Sequence, residues 1–367
     1  STLNEKFYLY SQFYEPSNHL KTMGKKILVT GGTGYIGSHT VVELINANHD
    51  VVIIDNLYNS DISVLDGIHD ITGIKPEFHQ IDLCDKERLE AFFAGRDDID
   101  SVIHFAAYKA VGESAEKPLM YYHNNIFSTL NLLDAMIKYG ISNIVFSSSC
   151  TVYGEPDKLP VDEKAPVKEP SSPYGNTKQV NEQMIRFTVE AGHPVRGISL
   201  RYFNPIGAHP SAKIGEAPQG VPNNLLPYIT QTAFGIREQL KVFGDDYDTP
   251  DGTPIRDYIN VVDLSKAHVV AIERLIDQKN KKGYEYFNIG TGRGNTVLEV
   301  IQAFERATGQ KINHEIVGRR PGDVEKVYAD TTAANEELGW KAEKSLEETL
   351  LSAWNWEKTY RQNKKEQ

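Results

Sequence analysis

Tyr174 and Lys178 stand four residues apart, so on a helix they share one face. A phenol ionises near pH ~10, too high for a base at neutrality. A fixed ammonium beside it favours the phenolate and is expected to draw that value down. Taken alone, the spacing is most simply a tyrosine ring packed on a lysine stem. It gains meaning from hydroxyls upstream. Phe146-Ser147-Ser148-Ser149-Cys150-Thr151 reads as a strand running into a Ser/Thr turn. At the carboxyl end of a sheet strand, Ser149 or Thr151 could hydrogen-bond a substrate hydroxyl and the carbonyl made from it. Without the phenol, such a run is only a turn.

A second constellation lies near the start. An apolar run, Ile27–Thr30, leads into Gly31-Gly32-Thr33-Gly34-Tyr35-Ile36-Gly37 and then a helix. The spacing satisfies G-x-G-x-x-G through Gly32, Gly34 and Gly37, and G-x-x-G-x-x-G through Gly31, Gly34 and Gly37. Glycines let the backbone approach a pyrophosphate at the helix N-terminus. Asp55 closes the next apolar run, 24 residues beyond Gly31. A carboxylate there can accept both hydroxyls of an adenosine ribose and repels a 2′-phosphate, which favours NAD over NADP. Asp82 after a third strand could face the adenine, and Phe105-Ala106-Ala107 offers small residues over a cofactor. Farther along, Arg256 and Arg320 lie in loop-rich sequence and suit bidentate phosphate contacts. Either arginine alone reads equally well as a surface ion pair.

The elements that must hold these groups alternate in type. Strands are expected at Lys26–Thr30, Asp50–Ile54, Glu77–Ile81, Ser101–Phe105, Asn143–Ser147 and Val195–Leu200. Helices are expected at Ile36–Asn46, Lys86–Phe93, Met120–Lys138 and Tyr174–Glu190. Near-continuous apolar strands alternating with helices define an α/β fold with a doubly wound (Rossmann) parallel sheet. Residues 202–260 are rich in Pro, Gly and Asn, with short elements near Leu225–Phe234 and Leu240–Phe243. Then come Tyr284–Ile289 with Val297–Thr308, His314–Val317 with Thr332–Leu338, and an amphipathic helix over Leu346–Thr359. The division expected is a nucleotide-binding domain over 23–201 and a smaller α/β substrate-binding lobe over 202–367, with some segments returning to the first domain. Residues 1–22 carry five aromatics and no secretory layout, and read as a cloning remnant or a native arm.

Composition excludes several function classes. The chain has 367 residues, 40% hydrophobic and 24% charged, with a net charge of −11. That balance, and the lack of a basic cluster interleaved with aromatics, argues against a nucleic-acid binder. No apolar run nears the ~20 residues a membrane span requires. Cys84 and Cys150 cannot make a disulfide framework in a chain this long, and neither sits in a metal-binding pattern, which fits a reduced, cytoplasmic setting with no metal.

Strand, glycine loop, strand-end serine and Tyr-x-x-x-Lys together resemble the extended short-chain dehydrogenase/reductase superfamily. Further stretches are similar to its UDP-glucose 4-epimerase family. These are Gly31–Thr40, His104–Glu113, Phe146–Gly154, Ser172–Lys178, Arg201–His209, Gln219–Pro227, Gly252–Asp263 and Arg319–Asp330, and the likeness spans Lys25 to Trp356. The resemblance implies interconversion of UDP-galactose and UDP-glucose with NAD, by oxidation at C4 to a 4-keto sugar that turns over and is reduced again. It implies that Tyr174 is the base and acid, that Lys178 holds the nicotinamide ribose and that Ser149 assists at the sugar hydroxyl. Tyr35, Ile36, Asp55, Asn56, Asn59, Ser60, Asp82, Leu83, Phe105, Lys109, Asn124 and Phe203 fall on cofactor positions. Asn204, Asn224, Leu225, Arg256, Arg320 and Asp323 fall on UDP-sugar positions, with Phe243 near the uracil. It also implies a homodimer, joined through the helices at Met120–Lys138 and Tyr174–Glu190.

One position in the segment after Arg320 lines the hexose pocket in that family, where a bulky Tyr restricts members to unacetylated sugars. It aligns to Val327, which extends the expectation to UDP-GalNAc and UDP-GlcNAc; a shift of one residue would put Tyr328 there instead. Two alternatives stay open. A nucleotide-sugar dehydratase or decarboxylase uses the same scaffold, although dehydratases carry an Asp-Glu pair where this chain has Cys150 and Thr151. A binding protein that kept the fold and lost catalysis is the other.

Overall fold

The computed structural model describes residues 24–320 and 323–366; the leader at 1–22 lies outside the described residues. The first half alternates as the sequence requires. Strands β1 (Lys26–Thr30), β2 (Asp50–Asp55), β3 (Glu77–Gln80), β4 (Ser101–His104), β5 (Asn143–Ser149) and β6 (Arg196–Tyr202) are separated by helices. These are α1 (Tyr35–Asn46), α2 (Val64–Thr72), α3 (Lys86–Phe93), α4 (Val111–Glu116), α5 (Pro118–Tyr139) and α6 (Pro173–Glu190). Successive side chains of a strand face opposite ways, and both faces are buried. Ile27 and Val29 of β1 join Ile53, Val145 and Leu200 in one core layer. Leu28 joins Val52, Val102, Ile144 and Phe146 in the other.

The second half supplies β7 (Asn204–Ile206), α7 (Leu225–Ala233), β8 (Leu240–Phe243), β9 (Ile255–Arg256), β10 (Tyr258–Asn260) and α8 (Val261–Ile276). It continues with β11 (Tyr284–Ile289), β12 (Asn295–Thr296), α9 (Val297–Thr308), β13 (His314–Val317), β14 (Lys326–Val327) and α10 (Leu346–Glu366). The main sheet has seven strands in the order β11-β6-β5-β4-β1-β2-β3, all parallel. The winding direction reverses between β1 and β4, and ligands bind such sheets outside the carboxyl ends at that point. Two two-stranded sheets, β10–β7 and β13–β8, and a three-stranded one, β12–β9–β14, accompany the main sheet and send Asn204, Phe243, Arg256 and Val327 into the same cavity. Leu226, Ile229, Val300, Phe304, Leu350 and Trp354 give them their own core.

The short elements α2, α4, β7, β9, β10, β12 and β14 fall where no element was expected. Helix α8 occupies a stretch to which the sequence reading assigns no element. Its Asn260 cap accepts from Val262 N at 2.8 Å, and most of it is buried, with Lys266, Val270, Glu273 and Ile276 on the partly exposed face. The helix expected over Thr332–Leu338 is present, with its last five residues, Ala334–Leu338, wound as a wider π-helical turn ended by left-handed Gly339. The last helix runs past Thr359 to Glu366.

Candidate active site

A cavity of about 1560 Å³ runs along the carboxyl edge of the sheet. Apart from Gly32, the residues singled out from the sequence for catalysis, cofactor or substrate line it, from Gly31 and Asp55 at one end to Arg320 and Val327 at the other.

At the first end, Gly31 takes φ +72°, and a Cβ there would sit 2.7 Å from Ala106 N. A Cβ on Gly37 would run into the Gly31 carbonyl. Gly32 backs onto Ile53 and does not line the cavity, so Gly31, Gly34 and Gly37 are the glycines that face it. Helix α1 starts there with Gly34 as its cap, no side chain on its first N–H groups and no acid in its first turn, which makes its start receptive to an anion. Asp55 accepts from Thr33 N at 3.2 Å, Leu57 N at 2.9 Å and the Ser60 hydroxyl at 3.4 Å. Those bonds aim its carboxylate at the cavity beside Asn59. Asn56 donates to Asp82 at 3.2 Å. Leu83, Phe105, Ala106, Ala107, Asn124 and Phe203 complete the lining, with Tyr35 and Ile36 on the first turn of α1.

At the centre, α6 is started by Ser172, whose hydroxyl accepts from Gly175 N at 3.1 Å, with Pro173 in its first turn. That start places Tyr174 against the end of β5, next to Ser149 and Thr151. Lys178, one turn on, is only 3% exposed. Its ammonium donates to the Ser147 carbonyl at 2.6 Å and lies 5.7 Å from the centre of the Tyr174 ring. Burial pulls the Lys178 pKa down to about 7, opposed by the Glu182 carboxylate one turn farther on. The Tyr174 phenol is pushed well above its ordinary value, by burial first and then by Tyr202 and Cys150, with the Ser149 hydroxyl opposing. The expectation that Lys178 alone would draw the phenol toward neutrality therefore meets a larger opposing effect: desolvation holds Tyr174 neutral. Ser149 Oγ accepts from Thr151 N at 3.2 Å, and the Thr151 hydroxyl is buried without a protein partner at the cavity wall. Burial raises the Cys150 thiol to about 12, which makes it a poor nucleophile.

At the far end, Asp323 gathers both arginines. Arg320 donates to it at 2.8 and 3.1 Å, and Arg256 lies 3.6 Å away. Two guanidiniums and one carboxylate leave one net positive charge beside the Phe243 ring, over which Arg320 sits at 5.6 Å. Asn204 lines the wall from β7, and Leu225 opens α7. Val327 pairs with Arg256 between β14 and β9 and lines the cavity. Its neighbour Tyr328 turns the other way, against Gly294, as strand alternation requires. The register settles which of the two side chains the cavity meets.

Some lining residues escaped the sequence reading. Glu216 is bonded to both Lys109 and Asn224. Tyr58 and Tyr108 pair with ring centres 4.7 Å apart at the cavity mouth. Tyr202 shares a short hydrogen bond with Ser147 beneath Lys178. Glu216 and Tyr58 lie outside the motif stretches, and Tyr108 and Tyr202, though inside them, carry no spacing of their own that points to the site. Among the described residues no cluster of three or more His, Cys, Asp or Glu could hold a metal.

A doubly wound sheet with a dinucleotide-type glycine loop and a buried Ser149–Tyr174–Lys178 set defines an extended short-chain dehydrogenase/reductase. Residues 28–352 match the family model described as GDP-mannose 4,6 dehydratase. The UDP-glucose 4-epimerase of Bacillus subtilis is 50% identical over 331 residues, 90% of this chain and 96% of that protein. Two solved structures are similar throughout. The Stenotrophomonas maltophila UDP-glucose 4-epimerase, with NAD and formylated UDP-arabinopyranose, has a TM-score of 0.89 at 48% identity, covering 93% of this chain and 100% of that one. The Bifidobacterium longum enzyme, with NAD⁺ and UDP, has a TM-score of 0.87 at 46% identity, covering 92% and 99%. The chain belongs to the UDP-glucose 4-epimerase family.

Proposed function

We propose that this chain interconverts UDP-galactose and UDP-glucose with NAD, inverting the hexose at C4. The observation that carries the reading is the single cavity joining the Gly31–Gly37 loop and Asp55, through Ser149 and Tyr174, to Arg256 and Arg320. NAD fits the first end: the glycines leave room that a Cβ would fill, the first N–H groups of α1 have no side-chain cap, and Asp55 lines the cavity where it would accept from a ribose. When bound, the nicotinamide supplies the carrier that takes the C4 hydride and returns it to the opposite face, and a positive charge.

The chain's own residues handle the proton. Tyr174 exchanges it with the sugar O4, and burial favours its neutral form, so the donating half-step is the easier one for the protein alone. Ser149 hydrogen-bonds the same oxygen, and the unpartnered Thr151 hydroxyl is available to the hexose. Lys178, tethered to Ser147, holds the ribose of the cofactor and adds positive charge near the phenol. Arg256 and Arg320 take the diphosphate, Phe243 the uracil, and Asn204 and Asn224 the remaining polar edges. The test is conversion of UDP-galactose to UDP-glucose by the purified protein without added cofactor, with denatured protein assayed for released NAD. A 4-keto-6-deoxy product would favour the dehydratase reading. Binding without turnover would favour the silent one.

A second reading concerns the sugar. Val327, not Tyr328, lines the cavity, so we propose that 2-acetamido sugars are also accepted. UDP-GalNAc should be epimerised, and Val327→Tyr should suppress that activity while sparing UDP-galactose. No turnover of UDP-GalNAc by the unaltered protein would end this reading. The two cysteines are free, which supports a reduced, cytoplasmic setting. No helix among the described residues is long and apolar enough to cross a membrane.

A further inference from the structure

Glu216 lies in the loop over 207–224, between β7 and α7, and its side chain is 12% exposed. One oxygen of its carboxylate, Oε1, accepts from Lys109 Nζ at 3.2 Å and from Asn224 Nδ2 at 2.7 Å. Lys109 follows β4, on the dinucleotide side of the cavity. Asn224 precedes α7, on the sugar side. One carboxylate thus spans the rim between the two halves of the site. Lys109 Nζ also sits 5.7 Å over the Tyr35 ring, whose hydroxyl donates to the Gly207 carbonyl at 2.7 Å, so the same loop is tied to the first turn of α1.

The loop is fixed from behind by the last helix. Trp356 of α10 donates its indole N–H to the Glu216 carbonyl at 3.0 Å. Gly215 lies flat against that indole, where any Cβ would collide with the ring. Trp356 is braced in turn by stacking on Tyr360, with ring centres 5.1 Å apart. The backbone at 215–216 is therefore placed by packing, and its carboxylate is delivered to Lys109.

We propose that Glu216 is a positioning residue that latches the 207–224 loop across the cavity and retains the dinucleotide. Opening the rim requires breaking both bonds to Oε1. The same bond holds the Asn224 amide in place, so cofactor retention and the sugar side share one anchor. This rests on the NAD-dependent reading above.

The test is the rate at which NAD leaves the holoenzyme on dilution, for unaltered protein, Glu216→Gln and Glu216→Ala. Gln keeps an acceptor for Asn224 and removes the charge from Lys109; it also guards against an Ala variant that fails to fold. Release should accelerate roughly tenfold in Glu216→Ala, the scale of losing a hydrogen bond to a charged group. Release from Glu216→Gln should be faster than from unaltered protein at low salt. That gap should close as ionic strength rises, because Lys109 is half exposed and its ion pair is screened. Packing alone would give no such narrowing. Equal release from all three proteins, or a gap indifferent to salt, overturns the latch. Unaltered protein that contains no NAD overturns instead the reading on which it rests.

Discussion

At the scale of single residues, the chemistry depends on how burial treats two side chains. Desolvation lowers the Lys178 pKa and raises that of Tyr174. Both shifts favour neutral forms, so the site is built to make charge costly until ligands bring their own. Tyr174→Phe removes the proton carrier and little else. It should fold, keep its NAD and lose turnover by more than roughly a hundredfold, the usual scale for a general base. Steady-state rates with a cofactor count on the denatured variant check this, and near-normal turnover would remove Tyr174 from its role. Gly31, Gly34, Gly37, Asp55, Ser149, Tyr174 and Lys178 were legible from spacing that carries chemistry, and the fold brings them to one cavity, whereas positions such as Asn59, Asn124 and Phe243 were named only by resemblance. Glu216 was not legible, since a lone acid in a loop has no spacing to betray it. Val327 was legible only as one of two candidates, and the pairing of β14 with β9 was needed to choose.

At the scale of elements, the inner strands of the main sheet were readable because they are apolar on both faces, and strand ends across the sheet moved by only one or two residues. Helix α8 was not readable by the same logic. Its partly exposed positions, Lys266, Val270, Glu273 and Ile276, do fall on one helical face, but two of the four are apolar, so the stripe is hard to see by polarity alone. The signal that could have found it is Asn260 with Asp263 three residues on, an N-terminal capping pattern. Helix α5 makes the opposite point. Leu119, Phe127 and Leu130 are exposed, with Leu119 81% accessible, and Phe187 adds to them from α6. Positions 119, 123, 127 and 130 fall on one helical face, and His123 stacks on Phe127. An apolar stripe of this kind is expected to be covered by a second copy of the chain, giving a four-helix contact. Light scattering should give a dimer, and the double change Leu119→Lys with Phe127→Glu should give a monomer. A monomeric unaltered protein would rule the contact out.

At the scale of the whole molecule, three histidines are buried without charge. Burial lowers His39 and His104 to about 3 and His268 to about 4. His104 bridges Thr30 at 2.7 Å and Thr129 at 3.0 Å, so its neutral ring is part of the sheet packing. An unfolded histidine takes up its proton near pH ~6.5. Their contribution to stability is therefore complete above pH ~6.5 and is lost as the pH falls from there toward 4 and below, where the unfolded chain binds protons that the folded chain refuses. Urea midpoints should fall between pH ~6.5 and ~4.5; a midpoint unchanged across that interval would contradict it.

The central claim is that one continuous cavity holds NAD at its glycine loop and inverts C4 of a UDP-hexose at Tyr174. The most direct test is a proton NMR time course of UDP-galactose with the purified protein and no added nucleotide. UDP-glucose should appear and settle to an equilibrium mixture, with no other sugar product. An unchanged UDP-galactose spectrum, or signals of a 4-keto-6-deoxy hexose, would contradict it.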